Sequence, residues 1–322
     1  MNLKSTLHIK FKGSESNSLN IIRWLSAVAI VLCHFLQAYG IIWAWILNVG
    51  VQVFFFLSGF LYGKKRITNI KKFYWGRFRK LYIPYFLWVS TVILLLLIFF
   101  PSSLSFNGIL KQLTMIGALP GLNHLWFMRV IFLCYLILPF FDNCLSKNKM
   151  ISLCVFAIIS VTILVFFFSS SFLWILLYFI GYMCGRYTVL QTYLFFLSFL
   201  GALGILVVSE FDISIWKEDG AVNSFLHFFI GIVIFLGLYF FFKMDKFRNK
   251  KLNNFLTIFN NGGGYELYLT HHPFLLGPLS MLFISNNNNI NILVALILII
   301  TSCMMLQWIN NKIQRKIDKL MS

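Results

Sequence analysis

Charged residues are scarce in this chain, and their scarcity excludes a soluble domain. Only 11% of the 322 residues are charged, whereas 60% are hydrophobic and 38 are Phe. A soluble fold of this length has too little polar surface to cover so much apolar surface. Lipid is therefore the expected solvent for much of the chain, and we predict an all-α integral membrane protein.

Paired cysteines are also missing. The six cysteines are scattered through apolar runs, and no C-x-x-C pair occurs. This pattern argues against both a disulfide framework and a cysteine metal site. We interpret the cysteines as small buried hydrophobic residues and expect no metal.

A small-residue cleavage signal is absent after the first apolar run, so we interpret that run as an uncleaved membrane span. A span needs about 20 mostly apolar residues. Candidate spans lie near 20–40, 44–62, 82–100, 125–141, 150–168, 172–188, 191–209, 222–242, 263–284 and 290–308. The sequence therefore predicts about ten transmembrane helices.

The positions of Lys and Arg indicate how these spans are oriented, because both residues concentrate on cytoplasmic loops. With the N-terminus inside, 24 of the 27 Lys and Arg residues fall on inner segments. We therefore predict cytoplasmic termini, with an N-terminal segment at 1–19, a transmembrane domain at 20–309 and an amphipathic C-terminal segment at 310–322. Because the positive charge is spread over separate inner segments, it argues against nucleic-acid binding.

Two ionisable side chains, Arg23 and His34, lie in the first span. Eleven residues correspond to about three helical turns, so the two share one face and stand about 16 Å apart along the axis. Ionisable groups inside spans are functional candidates. This face suits a long anionic donor that enters from the cytoplasm, with Arg23 as its anchor and His34 as a base for a hydroxyl proton. The alternative is that Arg23 snorkels and His34 bonds a backbone carbonyl.

The basic stretch at 64–84 orients the chain in the membrane, and within it Arg77 and Lys80 are also candidates for binding phosphates. Anionic lipid would explain the same charges.

Span four opens with His124, Trp126 and Arg129. We interpret Trp126 as an interfacial anchor and His124 as a surface histidine, with contact to an outer acceptor as its alternative. Arg129 lies one turn inside the span and needs a partner.

Span nine carries Glu266, His271 and His272 between helix-breaking residues. Glycines break the helix at its inner entrance, and two prolines bend it further. Broken helices at membrane depth usually line a cavity. The histidine pair is therefore a candidate cavity lining, with packing as the alternative for either histidine alone.

Five segments, taken in order, resemble the membrane acyltransferase-3 family. They are the first span with Arg23-x10-His34 and residues 49–63, 73–86, 123–139 and 265–274. Each segment is weakly specific by itself, the Arg-x10-His pair is the most specific, and together they cover nearly the whole chain. The resemblance implies an integral membrane enzyme that transfers an acyl group from acetyl-CoA, or another acyl-CoA, to hydroxyls of cell-surface glycans.

The resemblance also implies residue roles, with His34 catalytic and Arg23 essential. The family's Arg-x-x-Arg motif reads Arg-Phe-Arg-Lys at 77–80. Lys80 therefore replaces the second arginine and lacks its bidentate fork, which makes Arg79 an alternative carrier of that role. Glu266 and Arg129 are candidates for tuning the acceptor.

Ser58 and Gly59 match a Ser-Gly-Phe turn of the family, so Ser58 is added to the inner-face cations of the predicted CoA site.

We predict direct transfer, in which His34 deprotonates a sugar hydroxyl that attacks the thioester. A covalent acyl-histidine step stays open.

Two other functions fit part of the pattern: a transporter or flippase for a polysaccharide or lipid-linked sugar, and a non-catalytic scaffold or sensor.

For the predicted acyltransferase, the expected partners are membrane lipid, acyl-CoA and a glycan acceptor. The apolar composition suits a multi-pass protein of a bacterial inner or plasma membrane.

Overall fold

The structure is a computed structural model, and it describes residues 13–117, 119–147, 170–210, 212, 220–243 and 263–321. The secondary structure of this part of the chain is helical and contains no strand. Its α-helices are α1 Gly13–Ala38, α2 Val49–Gly63, α3 Ile70–Phe99, α4 Phe106–Leu113, α5 Trp126–Lys147, α6 Ser170–Arg186, α7 Val189–Val208, α8 Ala221–Lys243, α9 Gly264–Thr270, α10 His272–Leu275 and α11 Asn288–Met321.

Within the described ranges, seven helical segments are long and apolar enough to cross a membrane. They lie in α1, α2 with its preceding 3₁₀ turn, α3, α5 with its preceding 3₁₀ turn, α7, α8 and α11. The predicted helical membrane class is therefore confirmed. The number of ten spans and the cytoplasmic termini stay predictions, because the candidate span at 150–168 and residues 1–12 lie outside the described residues.

Local sequence explains several helix ends. α1 stops shortly before Gly40, whose φ of 70° favours glycine. The Asn69 side chain accepts a hydrogen bond from the Lys72 backbone N–H at 2.9 Å and so caps the start of α3. Ser105 caps α4 in the same way, through the Gly108 N–H at 3.0 Å.

The segment predicted as span nine is not one helix. α9 ends at Thr270, the short α10 follows, and the next α-helix starts only at Asn288. The predicted break at the glycines is confirmed, since Gly263 has a φ of 94° immediately before α9. The prolines do more than bend the segment, because helical structure ends altogether before Gly277, which has a φ of 101°.

α11 runs without interruption through the boundary predicted at 309–310. Its last turns carry charged residues, and among them Ile313 and Ile317 are half-buried. A single helix therefore joins the last predicted span to the amphipathic segment.

The described residues group into two compact units. The first contains 13–26, 48–73 and 130–243, and the second contains 27–47, 74–129 and 263–321. The candidate residues His34, His124, His271 and His272 all belong to the second unit.

In the first unit, α2 packs against α6 and α8. The crossing of α2 and α6 is unusually close, because glycines face backbone on both helices. A Cβ on Gly59 would lie 1.8 Å from the Tyr178 carbonyl oxygen, and one on Gly181 would lie 2.3 Å from the Phe56 oxygen. Gly63 and Gly185 repeat the arrangement one turn further along. This is small-xxx-small packing, in which missing side chains let two membrane helices touch along their backbones.

This packing corrects the interpretation of Ser58 and Gly59. The prediction of a Ser-Gly-Phe turn is wrong for this chain, because residues 58–60 lie inside α2. Gly59 is needed for the close approach of α6 rather than for a turn.

Ionisable side chains of the first unit bind one another. Lys64 forms an ion pair with Glu15, and the Tyr239 hydroxyl donates to the same carboxylate at 2.7 Å. Asp142 accepts hydrogen bonds from Arg186 at 2.7 Å and from the Tyr182 hydroxyl. Pairing of this kind offsets the cost of burying charge in an apolar surrounding.

Candidate active site

Four histidines from three parts of the chain meet in the second unit. His34 comes from α1, His124 from the 3₁₀ turn Asn123–Leu125, and His271 and His272 from the junction of α9 and α10. The ring centroid of His34 lies 4.7 Å from that of His272, 5.3 Å from His271 and 6.4 Å from His124. We call these four residues the histidine cluster.

Hydrogen bonds fix the ring protons of three members. Nδ1 of His34 lies 2.8 Å from the side-chain oxygen of Gln37, and Nδ1 of His272 lies 2.9 Å from the Gly121 carbonyl oxygen. Nδ1 of His271 lies 3.1 Å from the Leu267 carbonyl oxygen. Backbone carbonyls only accept, so Nδ1 carries the proton in His271 and His272; in His34 the same tautomer follows from the placement of the Gln37 amide with its oxygen on the ring. In each neutral ring Nε2 then keeps a lone pair.

Two glycines with positive φ hold the acceptor of His272 in place. Gly121 has a φ of 79° and Gly277 a φ of 101°. A Cβ on Gly277 would lie 2.7 Å from the backbone of Gly121, so the two backbones are in direct contact. The irregular segment after α10 therefore positions the Gly121 carbonyl oxygen that orients His272.

His124 is not a surface histidine, so that interpretation was wrong. Only 5% of the residue is exposed, and among the described residues neither ring nitrogen has a hydrogen bond of normal geometry. Its backbone carbonyl accepts the hydroxyl proton of Tyr268, and its ring stacks on His272 with centroids 4.5 Å apart. Folding brings α9 onto the turn before α5, and this contact buries the side chain.

Exposure separates His34 from the other three histidines. His34 is half-buried, whereas His124, His271 and His272 are 5%, 0% and 6% exposed. His34 is therefore the most exposed member of the histidine cluster. A neutral imidazole with a free Nε2 is suited to accept a proton from a hydroxyl.

A cluster of imidazoles also raises the question of a metal site. Within the residues that the structure describes, no group of three or more His, Cys, Asp or Glu side chains is arranged to hold a metal ion. The expectation of a metal-free enzyme stays a prediction.

The predicted cations lie on α1 and α3. Arg23 is half-buried on α1 and donates to the Asn20 side-chain oxygen at 3.1 Å. On α3, Arg77 is half-buried and Lys80 is exposed. Because α1 is continuous from Gly13 to Ala38, the helical spacing assumed for Arg23 and His34 is present.

Arg79 is engaged by α11. Its guanidinium forms an ion pair with Asp318, and its backbone carbonyl accepts a hydrogen bond from Gln314 at 2.9 Å. The Asp318 side chain is 61% exposed, and an exposed ion pair of this kind contributes little stability. An incoming anion could therefore replace Asp318 at low cost, so Arg79 stays a candidate phosphate ligand.

The remaining candidate residues, Ser58, Trp126 and Arg129, lie on α2 and α5. Ser58 is half-buried in α2 of the first unit. Trp126 is half-buried at the start of α5, and Arg129 is exposed, with the Ile116 carbonyl oxygen 3.5 Å from its guanidinium. That carbonyl is the partner that the sequence did not name.

Glu266 belongs to a buried hydrogen-bond chain. One carboxylate oxygen accepts the Gly263 N–H at 3.1 Å, which caps α9, and the other accepts the Asn310 side-chain amide at 3.1 Å. Asn310 in turn accepts from Gln314 at 3.2 Å. These bonds join α9 to α11 and give the buried carboxylate of Glu266 its hydrogen-bond partners. The predicted effect of Glu266 on the acceptor stays a prediction.

We expect Glu266→Ala to destabilise the protein by about 1–3 kcal/mol, because it leaves buried donors on Gly263 and Asn310 without an acceptor. The measurement is thermal unfolding of the purified protein in detergent. Asp318→Ala is the control, since it removes an acid from an exposed ion pair, for which we expect less than about 1 kcal/mol. Equal stability of the Glu266→Ala variant and the wild type would show that these hydrogen bonds do not stabilise the fold.

Comparison with known proteins decides the family. The model of the acyltransferase-3 family, described as an acyltransferase domain, matches residues 16–308. The chain belongs to the acyltransferase-3 family. It is therefore a membrane acyltransferase, and the family predicted from five sequence segments is confirmed. Searches of curated proteins and of solved structures found no match.

Sequence reasoning missed one residue beside His34. Gln37 follows His34 by three positions, and residues three apart on a helix are neighbours. That spacing was the available signal. In the sequence alone, Gln37 looked like an ordinary polar residue at the end of an apolar helix.

Proposed function

We propose that this acyltransferase moves an acetyl group, or another short acyl group, from cytoplasmic acyl-CoA to a hydroxyl of a cell-surface or lipid-linked glycan. His34 acts as the general base. The observation that carries the proposal is the contact of His34 Nδ1 with the Gln37 side-chain oxygen at 2.8 Å, together with the position of His34 as the most exposed member of the histidine cluster.

The reaction needs only one proton to be moved. His34 Nε2 removes the proton of the acceptor hydroxyl while the oxygen attacks the thioester carbonyl carbon. A carbon–oxygen bond forms and the carbon–sulfur bond breaks. The coenzyme A thiolate then takes the proton back from His34, so the products are an O-acyl ester and a free thiol, and the enzyme returns to its starting state.

Cations close together on α3 support the choice of donor. Coenzyme A carries phosphates, and Arg and Lys bind phosphate through charge-assisted hydrogen bonds. Arg77, Arg79 and Lys80 on α3 are the proposed ligands, and Arg23 and Ser58 stay candidates from the sequence alone. This arrangement requires both termini in the cytoplasm of a bacterial cell, with the chain in its inner or plasma membrane.

The test uses the full-length protein in nanodiscs with labelled acetyl-CoA and a glycan extract from the envelope of the cells that express it. We expect release of free thiol that depends on the extract, and the label should appear in the glycan as an alkali-labile ester. NMR of glycans from wild-type and deletion cells should show the matching loss of an O-acyl signal.

A transporter would give a different result. It would move glycan across the bilayer and leave acetyl-CoA intact, so transport without thiol release would contradict the proposed function. Release of thiol into water with no label on any glycan would contradict the proposed acceptor class and leave the donor correct.

A further inference from the structure

Gln37 makes the closest polar contact of His34. Its side-chain oxygen lies 2.8 Å from Nδ1, and both residues are half-buried on the last turns of α1. The other rings around His34 are His124, His271 and His272, which approach from the turn before α5 and from the junction of α9 and α10. All three approach His34 as ring contacts, whereas Gln37 reaches a ring nitrogen with an oxygen.

We infer that Gln37 is the positioning residue of His34, an inference that rests on the proposed function. The amide oxygen holds the proton on Nδ1 and thereby leaves Nε2 as the nitrogen that accepts the hydroxyl proton. Without this bond the neutral ring can place its proton on Nε2, and that tautomer has no lone pair to offer there. Partners of this kind fix the ring orientation as well as the tautomer.

The neutral amide also suits the second half of the reaction. A carboxylate at this position would stabilise the protonated ring strongly, because opposite charges at short distance favour the charged form. An amide fixes the tautomer without adding a charge. The protonated His34 therefore stays acidic enough to return its proton to the leaving thiolate.

Two substitutions separate these effects. Gln37→Leu removes the acceptor at similar size, and we expect the kcat for thiol release from acetyl-CoA to fall about 10- to 100-fold, the range for losing an orienting partner, with KM for acetyl-CoA unchanged. Gln37→Glu keeps an acceptor and adds a charge. Since the charge favours the protonated ring, the unprotonated base forms only at higher pH, and the acid limb of the pH–rate profile should move to higher pH.

The matched control is Gln191→Leu in the first unit. Gln191 is 4% exposed, and its amide donates to the Cys184 carbonyl at 2.9 Å, so this variant also loses a buried glutamine hydrogen bond. We expect it to lower thermal stability and to leave the pH–rate profile of the folded fraction unchanged. If Gln37→Leu behaves in the same way, the role of Gln37 is structural and the inference is overturned.

A second measurement does not depend on turnover. Nitrogen NMR of ¹⁵N-histidine-labelled protein reports which ring nitrogen of His34 carries the proton. We expect the Nδ1–H tautomer in the wild type and a shift toward Nε2–H in Gln37→Leu; the same tautomer in both would overturn the inference. A wild-type protein with the expected tautomer and no thiol release would contradict the proposed function alone.

Discussion

Replacing His34 with alanine abolishes acyl transfer while the protein still folds and inserts. We expect thiol release and glycan labelling to fall by about 10²- to 10⁴-fold, the usual contribution of a general base. The physical reason is that His34 is the most exposed member of the histidine cluster, so the more deeply buried neighbouring imidazoles should not replace it as the base. The measurement is the nanodisc assay, with thermal unfolding as the check on folding.

His227→Ala is the matched control for that experiment. His227 is 3% exposed on α8, and its Nδ1 lies 3.0 Å from the Asn223 carbonyl oxygen, so it resembles His271 and His272 in burial and hydrogen bonding. It lies in the first unit, outside the histidine cluster. We expect wild-type turnover per folded molecule. Normal glycan acylation by His34→Ala would remove the general base from the mechanism.

Replacing Gly59 with alanine has the largest expected effect on stability. The added methyl group would lie 1.8 Å from the Tyr178 carbonyl oxygen and 2.8 Å from the Tyr182 nitrogen, both backbone atoms of α6. A side chain can rotate away from such a clash, but a helix backbone cannot. The two helices must separate, and we expect a cost of at least about 3 kcal/mol, the upper part of the range for overpacking. The measurement is the melting temperature in detergent.

Gly204→Ala controls for the general effect of replacing a helical glycine. Gly204 lies on α7 of the same unit, and a Cβ there meets nothing within 4 Å. Alanine is the better helix former by about 1 kcal/mol, so this variant should be as stable as the wild type or slightly more so. Equal melting temperatures for Gly59→Ala and Gly204→Ala would show that the crossing tolerates separation.

The comparison of prediction with structure is clearest at the ninth predicted span. The sequence predicted a broken helix from its glycines and prolines, because those residues remove backbone hydrogen bonds or adopt a φ that other residues avoid. It did not predict how far the break extends. That extent depends on the contact of Gly277 with Gly121, which are distant along the chain.

His124 and Gly59 show the same limit of sequence reasoning, because the surroundings of each depend on residues that are distant along the chain. His124 lies next to a polar loop, and its local sequence favours the surface, yet α9 covers it. Gly59 was assigned to a turn, and that assignment was wrong, because its role depends on glycines of α6 that lie more than a hundred residues away.

By itself, the sequence determined the membrane class, most of the spans, the family, and His34 as the candidate base. These follow from composition, from apolar run length and from residues at fixed spacing along one segment, all of which are local properties. Only the tertiary structure gathered His34, His124, His271 and His272 into one cluster. The reason is that burial and hydrogen-bond partners are set by which helices pack together, and helix packing is not encoded in any single segment.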